Sequence, residues 1–304
     1  MNRHLKRIAE RLLVRSPVAR VAQARLSDSS LLVLAYHDIV PSGSRCTGAT
    51  SLHLSQRQFG EQLDMICQVH EVVSLAAAVC EPVSVRPRVA ITFDDAYAGA
   101  LTAGVEELER RQLPATVFVT PTLLGQTTWW DVLASHSEGV VGKKMSEHAL
   151  WELAGDRDDV LHWFSRHAVS ISQSQLIPRI GTLAELRAVD TYPLLSIGAH
   201  TWTHANLCAV TDEELERELT LPLAWLKPRF TKFIPMLSYP YGLCSKKVEL
   251  AASRAGYVRA FRVDGGWIVD PSTADPFAMS RFNVAAGLSM DGLRLRLAGI
   301  GAAW

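Results

Sequence analysis

A chain of 304 residues, 48% hydrophobic and 20% charged, has ordinary globular composition and is not expected to be disordered. Its 31 basic and 31 acidic residues cancel to a formal net charge of zero, so no global field recruits nucleic acid, and nucleic acid is not an expected partner. The five cysteines, Cys46, Cys67, Cys80, Cys208 and Cys244, are odd in number and form no Cys-x-x-Cys pair. That fits reduced thiols in a reducing compartment better than a disulfide framework.

Met1 to Arg25 carries seven Lys or Arg against the single acid Glu10, and its longest apolar run is Leu12-Leu13-Val14. A signal peptide or a spanning helix needs a longer apolar stretch, so the expected location is cytoplasmic. Leu5, Ile8 and Leu12 recur at helical spacing beneath a basic face. Such a helix either lies on an anionic membrane as a peripheral contact or, more ordinarily, packs on the domain or frays.

Leu31 to His37 is an almost continuous apolar run with a polar end, which predicts a strand buried on both faces. Ser55 with Gln58 opens a capping box for a helix carrying Phe59, Leu63, Ile66 and Cys67. Strand and helix then alternate: Val89 to Phe93, Ala98 to Arg111, and Ala115 to Thr120 behind Pro114. From Thr127 to about Asp190 the rhythm breaks around Trp129-Trp130-Asp131, which predicts a helical insertion containing a helix from Thr182 to Val189. Ser196 to Ala199 is the next strand, and Thr211 with Glu214 caps a helix that Pro222 should bend or end. Phe233 to Tyr239 is a strand closing at Pro240-Tyr241-Gly242, followed by a helix over Val248 to Ala255 and a strand over Gly256 to Phe261.

This alternation implies a parallel α/β body over residues 29–304, preceded by a basic helix or tail over 1–28 and interrupted by the insertion at about 127–190. In such folds chemistry gathers at the carboxyl ends of strands. His37, Asp94, Asp95, Thr120, His200 and Tyr241 all fall there in this reading.

His200 and His204, four apart, would share one face of a helix or tight helical turn and reach one metal ion. A carboxylate from Asp94-Asp95 would complete the site and leave a position open for water. Separately the motifs are weak, because paired acids often cap helices and two histidines at this spacing occur on helix surfaces. Together they describe a metal site with a second carboxylate placed to act as general base. The residues alone do not say which acid is ligand and which is base.

Thr92-Phe-Asp-Asp95, His200-Thr-Trp-Thr-His204 and Tyr239-Pro-Tyr-Gly242 occur in the order found in the polysaccharide deacetylase family, also called the NodB homology domain or carbohydrate esterase family 4. The chain resembles that family from about Tyr36-His37 to Arg281, most closely the bacterial subgroup with a Trp-Trp-Asp insertion. The resemblance implies an α/β fold, a distorted (β/α) barrel with a helical insertion. It also implies hydrolytic removal of N-acetyl groups from an amino-sugar glycan: a polysaccharide, an oligosaccharide or a lipid-linked precursor. Carried over, it makes Asp95, His200 and His204 ligands of a divalent metal, zinc by analogy, and Asp94 the general base. The metal and the backbone N–H of Tyr241 would hold the oxyanion.

Two departures stand out. The Arg that many members carry two residues before the proline of the third motif is Ser238 here, and Arg281 resembles a late Arg that takes over the orientation of the base. The late His that usually serves as general acid is also absent, since no His follows His204. His37 is the candidate replacement, with a hydrogen bond to Asp38 or a nearby loop as the structural alternative. Trp202 and Tyr239 are candidates for stacking on a sugar, and Trp129 and Trp130 for anchoring the insertion. The rival functions are a small-molecule amide or imide hydrolase on the same barrel and a non-catalytic glycan-binding module. An open groove several sugars long would favour glycans, and a closed cavity of a few hundred Å³ a small molecule.

Overall fold

The structure is a computed structural model and describes residues 3–80, 86–167 and 176–301. Two helices open the chain, α1 (Arg3–Arg15) and α2 (Pro17–Gln23), before β1 (Leu31–Tyr36), β2 (Asp38–Val40) and β3 (His53–Ser55). Then come α3 (Gln56–Val69), β4 (Glu71–Val72), α4 (Leu75–Cys80), β5 (Arg88–Phe93), α5 (Val105–Arg111) and β6 (Ala115–Val119). Helices α6 (Trp129–Ser135), α7 (Lys143–Trp151), α8 (Arg157–His167) and α9 (Leu183–Val189) precede β7 (Leu195–Ala199). The last elements are α10 (Asp212–Leu226), β8 (Phe233–Ser238), α11 (Lys246–Ala255), β9 (Arg259–Phe261), β10 (Phe282–Asn283) and α12 (Met290–Leu297).

The main sheet runs β10-β1-β5-β6-β7-β8-β9, with β4 also paired to β5 and every pairing parallel, and it curls into a distorted (β/α) barrel. All six residues of β1 and of β5 are buried, as strands covered on both faces must be. Successive side chains point to opposite faces and so divide the core in two. Leu31, Val33, Ala90, Phe118, Met236 and Phe261 form one cluster inside the curl, while Leu32, Leu34, Val89, Ile91 and Phe93 join the larger cluster beneath the helices. Each fully buried leucine of this kind contributes roughly 1.5–3 kcal/mol. Tyr36 lies opposite Phe93 and Val119 opposite Ala199, so β1 ends level with β5 and β6 with β7, while Phe93 lies opposite Val117 and the second pair runs two residues further along the same rim.

The structure refines two local expectations. The helix after β5 begins as a wide turn over Ala100–Gly104 before becoming regular at Val105. More notably, α10 runs through Pro222 to Leu226. Leu215, Leu219, Pro222 and Leu226 form its buried stripe, so the proline lies on the core face, where packing offsets the lost hydrogen bond, a cost of ~3 kcal/mol in an unsupported helix. At the other end of the chain, α1 packs on α12, where Glu10 accepts a hydrogen bond from Ser289 Oγ at 2.6 Å and Leu13 and Val14 are half-buried. Leu5, Ile8 and Leu12 stay exposed. Among the described residues no helix is long and apolar enough to cross a membrane.

Candidate active site

The chain leaves β5 through a sharp turn in which Asp95 and Ala96 take φ of +67° and +61°, left-handed conformations that cost a residue with a Cβ about 1 kcal/mol or more. Asp94 and Asp95 are both buried there. Opposite them, His200 follows the end of β7, and Thr201 and His204 are also left-handed, at +63° and +67°. The His pair therefore sits on a non-helical loop, contrary to the helical spacing argument. Two side chains from outside hold that loop in place of helical hydrogen bonds. Thr120 Oγ1 donates to the His200 carbonyl at 2.6 Å, and Glu218 of α10 accepts the Trp202 and Thr203 N–H groups, each at 2.9 Å, and the Thr203 hydroxyl at 2.7 Å.

This loop brings His204 Nε2 to 3.1 Å from Asp95 Oδ1 and His200 Nε2 to 3.4 Å, with the two imidazole nitrogens 3.1 Å apart. His200 Nδ1 donates to the Ser238 carbonyl at 2.7 Å, which leaves the Nε2 lone pair facing the carboxylate. Among the described residues Asp95 Oδ1 has no hydrogen-bond partner despite complete burial, and neither does His204 Nδ1. Electron-rich atoms crowded together without donors are stable around a cation, and these three residues could hold a metal ion. Burial acts to raise the Asp95 pKa, but His204 and His200 outweigh it and hold the carboxyl far below its usual range. Burial also lowers both histidines. For His200 the charges of Asp94 and Asp95 reverse the net direction, whereas His204 stays below its ordinary value.

Asp94, one residue away, has full company. Arg281, itself completely buried, donates from both terminal nitrogens to the two Asp94 oxygens at 2.7 Å each. Arg281 also reaches Ser238 Oγ at 2.6 Å and Thr92 Oγ1 at 3.1 Å, and Ser238 Oγ donates to Asp94 at 3.2 Å. The guanidinium rests above the Phe118 ring of the inner core, 5.4 Å from its centre. Burial pushes the Asp94 pKa up, but Arg281 and His200 overcome this and bring it down to about 2, so the carboxylate is ionised near neutrality.

Asp94, Asp95, His200 and His204 open into a cavity of about 320 Å³, whose wall also includes His37, Tyr241, Trp129, Trp130 and Ser51. Among the described residues neither ring nitrogen of His37 has a hydrogen-bond partner, and Asp38 bonds His53 instead, so the structural alternative for His37 is not what is seen. Burial lowers the His37 pKa, an effect partly offset by Asp95 and Asp94. Tyr241 is left-handed at φ +59°, and as a first-turn residue its N–H has no carbonyl to meet inside its own turn. Trp129 and Trp130 line the cavity rather than only anchoring the insertion. The Trp130 ring centre is 4.8 Å from that of His204, and Trp129 Nε1 donates to Tyr241 Oη at 3.1 Å.

Tyr239 and Trp202 do not line this cavity. Tyr239 is fully buried and donates to the Phe277 carbonyl at 2.9 Å, so its ring has no free face for a sugar. The Trp202 backbone is occupied by Glu218 and by Thr122 Oγ1, which reaches its carbonyl at 2.8 Å. Thr120 also lies outside the wall and serves only the His loop.

Sequence reasoning missed one polar cluster entirely. The buried side chain of His53 contacts Asp38 at 3.0 Å and Asp131 at 2.8 Å, and Asp131 also accepts the Ala49 N–H at 2.8 Å and the Tyr97 hydroxyl at 2.6 Å. Tyr97 accepts in turn from Trp130 Nε1 at 2.8 Å. Burial pushes the His53 pKa down, but Asp131 and Asp38 outweigh it and lift it to about 9. A charged imidazole thus ties together the strand after His37, the turn after Asp95 and the tryptophan wall. The faint signal for it was Asp131 in Trp-Trp-Asp, an acid amid apolar neighbours.

A barrel whose rim gathers an acid and two histidines beside an arginine-held carboxylate has the architecture of a hydrolase. The family model for polysaccharide deacetylase matches residues 83–260, more than half of the chain. The protein belongs to the polysaccharide deacetylase family, whose members are hydrolases acting on carbon–nitrogen bonds of carbohydrates. Solved structures agree on the fold. IcaB from Ammonifex degensii is 18% identical, with 90% of this chain and 97% of that one covered at a TM-score of 0.61. The Streptococcus pyogenes deacetylase PplD, solved with acetate, is 14% identical over 89% of this chain and 99% of its own, at 0.60. A polysaccharide deacetylase from Bacillus cereus is 15% identical over 88% and 69%, at 0.61. No curated protein matches the sequence.

Proposed function

We propose that the protein is a metal-dependent deacetylase that hydrolyses the N-acetyl group of an amino sugar within a glycan. The observation that carries this reading is the buried, undonated Asp95 Oδ1 facing two imidazole nitrogens, next to an Asp94 whose own bonds are satisfied. Asp95, His200 and His204 would hold the ion, with zinc favoured by the donor set of two imidazoles and one carboxylate. A divalent ion there supplies Lewis acidity to the acetyl carbonyl. Asp94, kept ionised and oriented by Arg281, takes the proton of the attacking water. The Tyr241 N–H points its dipole at the developing oxyanion. His37, on the wall of the same cavity, delivers a proton to the leaving amine. Trp129 and Trp130 shield these groups from bulk water and pack on His204 and Tyr241.

A small-molecule amide hydrolase fits less well. The cavity is open rather than enclosed and shares the wall residues Ala49 and Ser51 with a neighbouring one of about 1070 Å³, which suits a substrate longer than a single small ring. The experiment is to incubate zinc-loaded protein with N-acetylglucosamine oligomers and measure released acetate, alongside Asp94→Asn and His200→Ala. Release by the wild type that stops in both variants is expected, and release that persists in both removes the assigned site. Silence of the wild type on every N-acetyl glycan would favour the binding-module reading. The cytoplasmic or membrane-apposed location expected from the sequence is tested by cell fractionation.

A further inference from the structure

Three cavities neighbour one another in a row and share wall residues. The catalytic cavity meets the middle one at Ala49 and Ser51, and the middle one meets a third, of about 620 Å³, at Arg7, Gln58 and the segment 286–289. The chemistry of the wall changes along this path. The middle section contains Lys6, Arg7 and Arg45 against one acid, Glu10, which is already engaged by Lys6 at 4.0 Å and by Ser289. Arg7 and Arg45 come from α1 and from the loop after β2, are exposed, and have no acidic partner among the described residues. No Phe, Tyr or Trp lines this section, so it offers a neutral sugar ring no stacking platform, while its two free guanidinium groups suit an anion. The far section combines the apolar Ile8, Leu12, Leu288 and Met290 with Arg11, Asp291 and Glu61, whose charges are paired, Arg11 with Asp291 at 3.8 Å and Glu61 with Arg57 at 2.9 Å. Ile8 and Leu12 are exposed there, across from Met290 at the start of α12.

Resting on the deacetylase reading, we infer that the substrate is a lipid-linked glycan whose N-acetyl sugar enters the catalytic cavity, whose connecting phosphate is held by Arg45 and Arg7, and whose lipid end leaves past Ile8 and Leu12. Acetyl sugar, phosphate and hydrocarbon follow one another in such a molecule in the order in which the groove presents reactive, cationic and apolar walls. Leu5, next to the apolar end, and the basic residues of α1 would then meet the membrane from which the substrate is drawn.

Three substrates separate the parts: N-acetylglucosamine tetramer, N-acetylglucosaminyl diphosphate, and N-acetylglucosaminyl-diphosphoryl polyprenol in phosphatidylcholine vesicles. Acetate release should show kcat/KM rising along that series, by about tenfold or more at the phosphate step, as charge-assisted contacts to a phosphate imply. In Arg7→Ala/Arg45→Ala, KM should rise for both phosphorylated substrates, and in Ile8→Ser/Leu12→Ser for the polyprenol substrate alone. Both variants should keep wild-type kinetics on the tetramer, which also reports that they fold. A tetramer turned over as well as the polyprenol substrate, or double variants without effect on KM, would overturn the inference. Silence on all three substrates would instead remove the deacetylase reading. The groove is then judged by sedimentation with the glycolipid vesicles, where binding lost in both double variants upholds it and absence of wild-type binding refutes it.

Discussion

Asp94 and Asp95 are neighbours in sequence and almost equally buried, at 3% and 2% exposure, yet their surroundings are opposite. Asp94 is saturated by Arg281 and Ser238, whereas Asp95 Oδ1 faces histidine nitrogens without a proton directed at it. Burying a carboxylate costs several kcal/mol unless a counter-charge compensates. One acid therefore carries its counter-charge in the chain, and the other is built to receive it from outside. The comparison separates the proposed base from the proposed ligand on physical grounds that the sequence did not contain.

The largest expected effect comes from breaking the internal pair. Arg281→Ala leaves Asp94 buried without its partner and should cost about 3–5 kcal/mol of stability, read by denaturant unfolding. Arg281→Lys should recover only part of it, because a single ammonium does not reproduce the two parallel bonds. The Asp95 side should respond in the opposite sense. In metal-free protein Asp95→Asn should raise or leave unchanged the melting temperature, and it should abolish the rise that zinc gives the wild type. That rise corresponds to about 2.7 kcal/mol at a metal concentration 100 times the Kd. A metal-free Asp95→Asn protein that melts much lower than the wild type would contradict the contrast.

His53 tests the scaffold that supports both halves. Its folded pKa is raised to about 9 against an ordinary 6.5, so its stabilisation is fully present below pH 6.5 and is lost as pH climbs through 9. Asp38, Asp131, the Tyr97 hydroxyl and Cys46 are the ionisable groups around it. Unfolding free energy should fall by up to ~3 kcal/mol over that window, and His53→Gln should flatten the slope. For His37 the depressed pKa means that activity depending on its proton should decline from below pH 6.5 upward, and His37→Gln should erase that basic limb of the rate profile. The smallest effect is expected for Trp129→Phe, which removes one hydrogen bond to Tyr241 and should cost about 1 kcal/mol, a few-fold in kcat/KM.

Much of the barrel could be read from the sequence because buried parallel strands appear as apolar runs, as in Leu31 to Tyr36. Asp94, Asp95, His200 and His204 were visible as short contiguous motifs, and Arg281 through its resemblance to the family. The conformation of the His loop was not legible, because spacing suggests a helix and cannot show Glu218 capping the loop from another element. The cluster of His53 with Asp38 and Asp131 spans 15 and 78 residues and has no periodic signature. Tyr239 looked like a sugar platform because a motif shows proximity along the chain, whereas burial is decided by Phe277, far downstream.

Of the eight non-glycine residues with positive φ among the described residues, five lie on the site loops: Asp95, Ala96, Thr201, His204 and Tyr241. A rim assembled from conformations that its residues disfavour resembles a drawn clasp, and the bound ion is what would keep it closed. Loss of activity and gain of stability should then lie close together in the space of mutations. Relatives that abandon catalysis should show it first as relaxed, glycine-rich turns at these five positions, before any change in the barrel beneath.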